Sequence, residues 1–276
     1  MPELPEVETV RRELAPVMTG TRIDRLELRR ADLRAPFPKR FAARVAGRTV
    51  VRLERRAKYL LARLSSGETL VMHLGMSGSF RIEQPAAEGD TGTTRDRHDH
   101  AVFHLASGAK VIFNDPRRFG VMDLLAEDAL SSHPTLGALG PEPLSPAFDG
   151  AALARACARR KTSLKVALLD QRVVAGLGNI YVSEALYVAG LSPQRLASTL
   201  ATPAGVARPS AHRLASAIKE VLEEAIARAS GKRYRSSRFR VYDREGGRCR
   251  RRGCSGVVRR KTQAGRSTFY CAVCQR

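Results

Sequence analysis

Four of the five cysteines lie within the last 28 residues, and their spacing strongly constrains what this part of the chain can form. They make two pairs, Cys249-x4-Cys254 and Cys271-x2-Cys274. Both pairs have the spacing of structural zinc sites, and four thiolates close a tetrahedral site with no position open for catalysis. We therefore predict one structural Zn²⁺ on these four cysteines, with a chance cluster of free cysteines as the alternative.

Cationic residues lie between the two cysteine pairs, namely Arg259, Arg260, Lys261 and Arg266. A segment this small does not fold without its metal. We predict that the zinc holds a β-hairpin whose cations face phosphate groups. The alternative is a purely structural knuckle with a solvated basic face.

The charge of the whole chain indicates its partner class. Its 276 residues carry 48 Lys and Arg against 27 Asp and Glu, a net charge of +21. Such a basic protein most often binds a polyanion, with nucleic acid favoured over an anionic membrane surface. No apolar stretch reaches the roughly 18 residues of a membrane span, and the acidic start does not resemble a signal peptide. We expect a soluble intracellular protein.

The first half of the chain reads as one helix followed by short strands. Apolar residues at helical spacing predict an amphipathic helix over residues 3–14. Eight β-like runs follow, at residues 23–28, 49–53, 59–64, 69–74, 79–82, 101–105, 110–113 and 121–125. Short strands separated by turn signals are typical of a sandwich or barrel.

The second half reads as helical. Residues 137–150 are rich in Gly, Pro and Ser and predict a linker, so we expect domains at 1–136, 151–231 and 232–276. Gly176-x-Gly178 lacks the third glycine of a dinucleotide-binding fingerprint. It is better interpreted as a tight turn between helices that brings backbone N–H groups and Asn179 near a phosphate.

The amino terminus offers a nucleophile. Methionine before a residue as small as Pro2 is normally removed, which leaves a secondary amine. An α-amino group titrates near 8, so a useful fraction is unprotonated and can attack a carbonyl-like carbon to form an iminium. Glu3 could move the protons. The alternative is ordinary capping of a helix start by proline and acids.

Four further segments need an interpretation. Met76 between glycines, and Arg117 with Phe119 after Asp115-Pro116, could enter a base stack, or could belong to turns beside the core. His98-Asp99-His100 could bind metal, but a loop touching phosphate is the better interpretation. The basic run from Arg55 to Tyr59 reads by default as solvated charge.

Together these motifs resemble a known family. In chain order they are Met1-Pro2-Glu3-Leu4-Pro5-Glu6-Val7-Glu8-Thr9, Arg56-Ala57-Lys58-Tyr59, His73-Leu74-Gly75-Met76-Ser77-Gly78, His98-Asp99-His100, Asp115-Pro116-Arg117-Arg118-Phe119-Gly120, Gly178-Asn179-Ile180-Tyr181 and Gly265-Arg266-Ser267-Thr268-Phe269-Tyr270-Cys271. The chain resembles the bacterial formamidopyrimidine-DNA glycosylases, which are related to endonuclease VIII. The likeness covers nearly the whole chain.

The resemblance implies an α+β fold. It has an N-terminal helix and β-sandwich, then a helix–two-turn–helix domain with a C-terminal β-hairpin zinc finger. It implies a bifunctional base-excision repair glycosylase and apurinic/apyrimidinic lyase acting on oxidised purines in double-stranded DNA, through a Schiff base and β,δ-elimination. We expect a bacterial cytoplasmic, nucleoid-associated monomer that binds no membrane.

The resemblance also implies roles for single residues. Pro2 would attack C1′, Glu3 would be the acid/base, Lys58 would support β-elimination and Arg266 δ-elimination. The gap left by the flipped nucleotide would be filled by Met76, Arg117 and Phe119. Phosphates near the lesion would be held by His73, His98, Arg160, Lys165 and Asn179.

The chain departs from the family pattern in two places. The segment at residues 230–240 is shorter than the family's usual loop, which caps the everted 8-oxoguanine. We therefore expect formamidopyrimidines and abasic sites to be better substrates than 8-oxoguanine. The first cysteine pair also has four intervening residues where two are common.

A retained Met1 would make Pro2 a tertiary amide and remove the nucleophile.

Two other functions compete with the enzyme. One is a catalytically silent DNA-binding protein that recognises lesions or bends. The presence of Pro2, Glu3, Lys58 and Arg266 argues against this alternative. The other is an RNA-binding zinc-ribbon protein. An aromatic content of only 5% and the lack of a stacking platform weaken that alternative.

Overall fold

The computed structural model describes residues 2–85, 96–229 and 239–276. The chain forms two compact units, Met1–Gly137 and Ala138–Arg276. Each unit is described by itself below, and the finer division into domains and linker stays a prediction. Within the described residues, no helix is long and apolar enough to cross a membrane.

The first unit is a helix followed by an antiparallel sheet. Helix α1 spans Leu4–Met18, and a short helix α2 spans Phe41–Val45. The strands are β1 Arg22–Leu28, β2 Arg48–Arg56, β3 Tyr59–Leu64, β4 Glu68–His73, β5 Ser79–Glu83, β6 Asp99–Leu105, β7 Lys110–Asn114 and β8 Val121–Ala126. All eight predicted strands are present, each within two residues of its expected ends except at the end of β2, which continues three residues further.

The sheet has the order β5-β7-β6-β1-β2-β3-β4-β8. Its two four-stranded halves meet where β1 and β2 pair, through Arg22↔Thr49 and Ile23↔Arg48 alone among the described residues. Side chains from both halves and from α1 fill one hydrophobic core. Helix α1 joins that core because Val7, Leu14 and Met18 fall on one helical face and are buried.

The second unit begins with four helices, α3 Gly150–Cys157, α4 Leu164–Leu169, α5 Asn179–Ala189 and α6 Pro209–Ala229. The carboxylate of Asp149 caps α3 by accepting the N–H of Ala152 at 2.7 Å. Gly190, in the left-handed conformation, ends α5. Helix α6 packs against α3 and α5.

A two-stranded hairpin completes the second unit. Strands β9 Val258–Gln263 and β10 Arg266–Cys271 pair antiparallel, and the turn between them has positive φ at Ala264 and Gly265. Tyr187, Val241 and Phe269 pack in a small core beneath it. The α+β class, the N-terminal sheet domain and the C-terminal hairpin with its cysteine cluster are thus confirmed.

Candidate active site and DNA-contact residues

Pro2 and Glu3 stand at the start of α1. Glu3 is the residue preceding the helix and only 1% exposed. Its backbone N–H donates to Glu6 Oε2 at 2.8 Å, which fixes the first turn. The positive end of the helix dipole favours a carboxylate at this place. The fold therefore holds Glu3 as a buried acid directly beside Pro2.

Lys58 lies in the tight turn between β2 and β3. Ala57 has φ 53°, a left-handed conformation that L-residues rarely adopt. The turn is held by Arg55, whose Nη1 donates to the Ala57 carbonyl at 3.0 Å and whose Nε donates to Glu8 Oε2 at 3.3 Å. Glu8 belongs to α1, so the helix that directly follows Pro2 and Glu3 is hydrogen-bonded to the turn that carries Lys58.

Glu8 is the centre of this link. Burial acts to raise the pKa of its carboxyl, but hydrogen bonds from Arg11 and Arg12 and the charge of Arg55 outweigh burial and lower the pKa to about 2. Glu8 is therefore ionised at neutral pH. Neither Glu8 nor Arg55 was assigned a role from the sequence.

His73 ends β4 and packs against the Tyr59 ring at 4.8 Å. Burial, with smaller contributions from the charges of Lys58 and Arg34, lowers the pKa of His73 to about 4. The ring is therefore neutral at pH 7. Its Nδ1 accepts the N–H of Gly75 at 3.1 Å, so its proton is on Nε2. His73 can offer a phosphate one N–H donor but no positive charge.

The three residues predicted to fill the gap stand on two loops, residues 74–78 and 115–120, which we name the gap-filling loops. Met76 and Phe119 are 40% and 39% exposed. The guanidinium of Arg117 lies 4.7 Å from the centre of the Phe119 ring. The loops thus present two apolar side chains and a cation at the surface of the first unit.

His98-Asp99-His100 is not arranged as a metal site. The Asp99 carboxylate accepts hydrogen bonds from Arg81 and Asn114. His100 is buried, with Nε2 at 2.9 Å from the carbonyl oxygen of Asp115. His98 is partly exposed, and its N–H donates to Asp96 Oδ1 at 2.8 Å. The predicted contact of His98 with phosphate stays a prediction.

In the second unit, Lys165 and Asn179 meet at one atom. Lys165 Nζ donates to the carbonyl oxygen of Ser267 at 3.0 Å and to Thr268 Oγ1 at 2.7 Å, and Asn179 Nδ2 donates to the same carbonyl at 2.9 Å. Lys165 is fully buried; burial, and secondarily the charge of Arg266, lowers its pKa to about 8. In this structure both side chains hydrogen-bond to the start of strand β10, at the residues that follow Arg266.

The two remaining predicted cations differ in their surroundings. Arg160 is partly buried, and its Nη1 pairs with Asp170 Oδ2 at 2.9 Å. Arg266 is exposed at the start of β10 and forms no ion pair with a residue in the described ranges. Arg266 is therefore available to bind an anion.

The four predicted zinc ligands come together. All four sulfur atoms lie within 4.8 Å of one another, and Cys249–Cys274 and Cys254–Cys271 are each 3.7 Å apart. A tetrahedron with Zn–S bonds of about 2.3 Å has edges of about 3.8 Å, so the spacing fits zinc. The N–H groups of Arg251 and Gly256 point at sulfurs, at 3.4 Å. This cluster could hold a metal ion.

Glu184 is another residue without a predicted role. It is buried on α5, and its carboxylate accepts the N–H groups of Arg240, Val241 and Tyr242 at 2.8–2.9 Å. Glu184 thereby anchors the segment that leads into the hairpin. The available sequence signal was a single acid in the otherwise apolar run of α5.

Comparison with known proteins decides the family. The model of the formamidopyrimidine-DNA glycosylase N-terminal domain matches residues 1–122, and the model of the H2TH domain of the same enzymes matches residues 139–236. The chain belongs to the formamidopyrimidine-DNA glycosylase family. It is a base-excision repair DNA glycosylase that acts on damaged bases, as the sequence predicted, and lyase activity is a property of this family.

Individual glycosylases are similar along their whole length. Those of Rhodopseudomonas palustris strain BisA53 and Beijerinckia indica are 58% and 56% identical, with all of both chains covered. Among solved structures, Lactococcus lactis formamidopyrimidine-DNA glycosylase bound to DNA with an AP site has a TM-score of 0.85 at 31% identity over both full chains. Its complex with DNA containing FAPY-dG has a TM-score of 0.86 at 31% identity, covering 99% of this chain and 100% of that one.

Proposed function

We propose that this glycosylase removes oxidised purines, formamidopyrimidines above all, from double-stranded DNA through a Schiff base on Pro2, and then cuts the strand by β,δ-elimination. The observation that carries the proposal is the hydrogen-bonded link through Glu8 and Arg55. It joins the helix that directly follows Pro2 and Glu3 to the turn that carries Lys58.

The first step is attack by the Pro2 nitrogen on C1′. The C1′–N bond to the base breaks, and the base leaves with the bonding electrons and takes up a proton. Glu3 transfers the proton that opens the sugar ring, and the ring-opened C1′ becomes an iminium. Glu3 suits this role because it is buried beside Pro2.

The second stage is elimination. The iminium acidifies the C2′ hydrogen, so its loss expels the 3′ phosphate, and we assign support of this step to Lys58. A further elimination expels the 5′ phosphate, and we assign its support to Arg266. Arg266 is suited to a phosphate because it is exposed and, within the described residues, forms no ion pair.

Base excision requires the nucleotide outside the stack, and the vacancy must be refilled. We assign refilling to Met76, Arg117 and Phe119. We assign the phosphates near the lesion to His73, His98, Arg160, Lys165 and Asn179. A chain with a net charge of +21 should then lose affinity steeply as salt rises.

We assign one Zn²⁺ to Cys249, Cys254, Cys271 and Cys274. A bound Zn²⁺ would supply folding free energy to the hairpin, and four protein ligands would leave it no open position for chemistry. The hairpin in turn would hold Arg266 on β10. One set of reacting residues suffices for one lesion, so we propose that the protein acts as a monomer. We propose that it is located in the bacterial cytoplasm and associates with the nucleoid.

The preference for formamidopyrimidines and abasic sites over 8-oxoguanine rests on the short segment at 230–240. Residues 230–238 lie outside the described residues. The alignment with the Rhodopseudomonas palustris BisA53 glycosylase extends over 294 residues although this chain has 276, so that relative has residues with no counterpart here.

The direct test uses duplexes with a formamidopyrimidine, with 8-oxoguanine opposite cytosine, or with an abasic site. We expect release of the formamidopyrimidine, weaker release of 8-oxoguanine, and strand ends carrying phosphate on both sides of the gap. Glu3→Gln should abolish base release, whereas Glu13→Gln, at an exposed position of the same helix, should not. Binding without release or cutting by protein lacking Met1 would instead support the silent DNA-binding alternative.

A further inference from the structure

The two gap-filling loops are in direct contact. Gly75 has φ +63°, and a Cβ atom placed on it would lie 2.3 Å from the carbonyl carbon of Phe119 and 2.6 Å from the backbone nitrogen of Gly120. Real Cβ contacts are never so short, so the backbones approach closely only because residue 75 is glycine. The loop that carries Met76 and the loop that carries Phe119 are therefore packed as one body.

One buried carboxylate connects these loops. Asp115 is 0% exposed. Its Oδ1 accepts the hydroxyl of Ser77 at 2.5 Å, and its Oδ2 accepts the N–H of Gly120 at 2.7 Å. The N–H of Arg117 is shared between Ser77 Oγ, at 3.2 Å, and Asp115 Oδ1, at 3.3 Å. Asp115 thus binds the residue after Met76 and residues on both sides of Phe119.

The backbone of Asp115 reaches a third segment. Its N–H donates to the carbonyl of His98 at 3.0 Å, and its carbonyl oxygen lies 2.9 Å from Nε2 of buried His100. His98 is the residue assigned to a phosphate. Asp115 therefore lies at the junction of three segments, two that would fill the vacancy and one that would hold the backbone beside it.

We propose that Asp115 is a positioning residue for base eversion, which holds Met76, Arg117 and Phe119 in the arrangement that fills a vacancy in the duplex. This inference rests on the proposed function. All described partners of its carboxylate are hydroxyl or backbone N–H groups of the two loops, so the charge serves loop geometry rather than an ion pair. Two exposed apolar side chains are thereby presented in place before DNA arrives.

The main test is Asp115→Asn, measured on two substrates. The amide –NH₂ would meet the donor of Ser77 or of Gly120, so at least one loop loses its acceptor. We expect release of a formamidopyrimidine from duplex to fall roughly 10- to 100-fold, as for other misplaced substrate-positioning groups. Cleavage of an abasic site in single-stranded DNA, which has no stack to fill, should change by no more than about twofold.

A fluorescent readout separates positioning from general damage. With 2-aminopurine beside the lesion, the wild type should show a fast fluorescence change as side chains enter the stack. In Asp115→Asn this phase should slow by the same factor as base release. Equal loss on both substrates, or unchanged duplex release, would overturn the proposal.

Two further variants test the same loop arrangement if Asp115→Asn does not fold. Ser77→Ala removes the hydrogen bond from the Ser77 hydroxyl to Asp115 and the one that this hydroxyl accepts from the Arg117 N–H, but keeps the bond from Gly120 to Asp115. It should give the same pattern at smaller amplitude. Gly75→Ala should mimic Asp115→Asn by forcing the loops apart. Its control is Gly67→Ala, which also has positive φ (+80°) but open space around the new Cβ. Wild type inactive on both substrates would sink the proposed function, whereas normal duplex release by Gly75→Ala and Ser77→Ala would sink this inference alone.

Discussion

The amino-terminal site and the cysteine hairpin position functional groups by opposite means. In the first unit, Glu8 and Asp115 are buried carboxylates whose hydrogen bonds fix the turn that carries Lys58 and the two gap-filling loops on a large hydrophobic core. The hairpin has a small core and four clustered thiols. The difference indicates that hydrogen bonds to buried carboxylates fix the geometry of the site in the first unit. We propose that a metal ion on the four cysteines fixes the position of Arg266.

Breaking the metal site should have the largest effect. We expect Cys274→Ser to lose the single bound zinc and the fold of the hairpin, because a structural zinc contributes on the order of 10 kcal/mol to so small a segment. The zinc content per chain measures the loss of the metal, and the affinity for lesion-containing duplex measures the loss of the hairpin fold. Cys157→Ala is the control, because that buried thiol lies outside the cluster. Full binding by zinc-free protein would contradict the assignment.

Glu184 is an exception to this comparison, because a buried carboxylate also anchors residues 240–242, the segment that precedes the hairpin. Glu184→Gln should weaken three hydrogen bonds from backbone N–H groups and lower the free energy of unfolding by about 3 kcal/mol. Urea unfolding measures this, with Glu223→Gln at an exposed position of α6 as control. If both variants unfold alike, the anchor at residues 240–242 contributes nothing to stability.

Glu8 tests the carboxylate side of the comparison. Its pKa is lowered from 4.5 to about 2 in the folded state, so its contribution is complete above pH 4.5 and lost as pH falls towards 2. Glu8→Gln should lower the free energy of unfolding by about 2 kcal/mol at pH 7, and by much less near pH 2. Urea unfolding at several pH values measures the difference. An effect independent of pH, or equal to that of Glu13→Gln, would remove Glu8 from the account.

Arg266 should give the smallest change in stability but a specific change in product. In Arg266→Ala we expect strand cutting to stop after β-elimination, leaving an unsaturated aldehyde at the 3′ end, with a stability change within about 0.5 kcal/mol. Denaturing electrophoresis separates the two products. Arg259→Ala removes the same charge from the neighbouring strand and should leave the product ratio unchanged; a shift in both variants would mean that only charge matters.

Much of the fold followed from the sequence because burial imposes periodicity. The eight strands and α1 were predicted because their apolar residues repeat at the spacing of the buried face. Helix α2 was missed, since Phe41–Val45 is too short to show a period. The four cysteines were predicted as one site from spacing alone, and the structure brings them together.

The supporting residues of the site could not be predicted in the same way. Ser77 and Asp115 are 38 residues apart, and Glu8 and Arg55 are 47 apart. No local pattern pairs such residues, because the sheet alone decides which of them meet. Lys165 was assigned to phosphate through family resemblance, and Asn179 through both the glycine turn before it and the resemblance. Only the structure shows that both donate to the carbonyl of Ser267.

The most direct test of the account is the site of the covalent bond. The protein is mixed with abasic duplex, reduced with borohydride, digested with trypsin and mapped by mass spectrometry. We predict that the sugar is attached to the nitrogen of Pro2, on the peptide that ends at Arg11, with Met1 absent. An adduct on Lys58 instead, or no adduct from protein that lacks Met1, would contradict the central claim that the amino-terminal proline is the nucleophile.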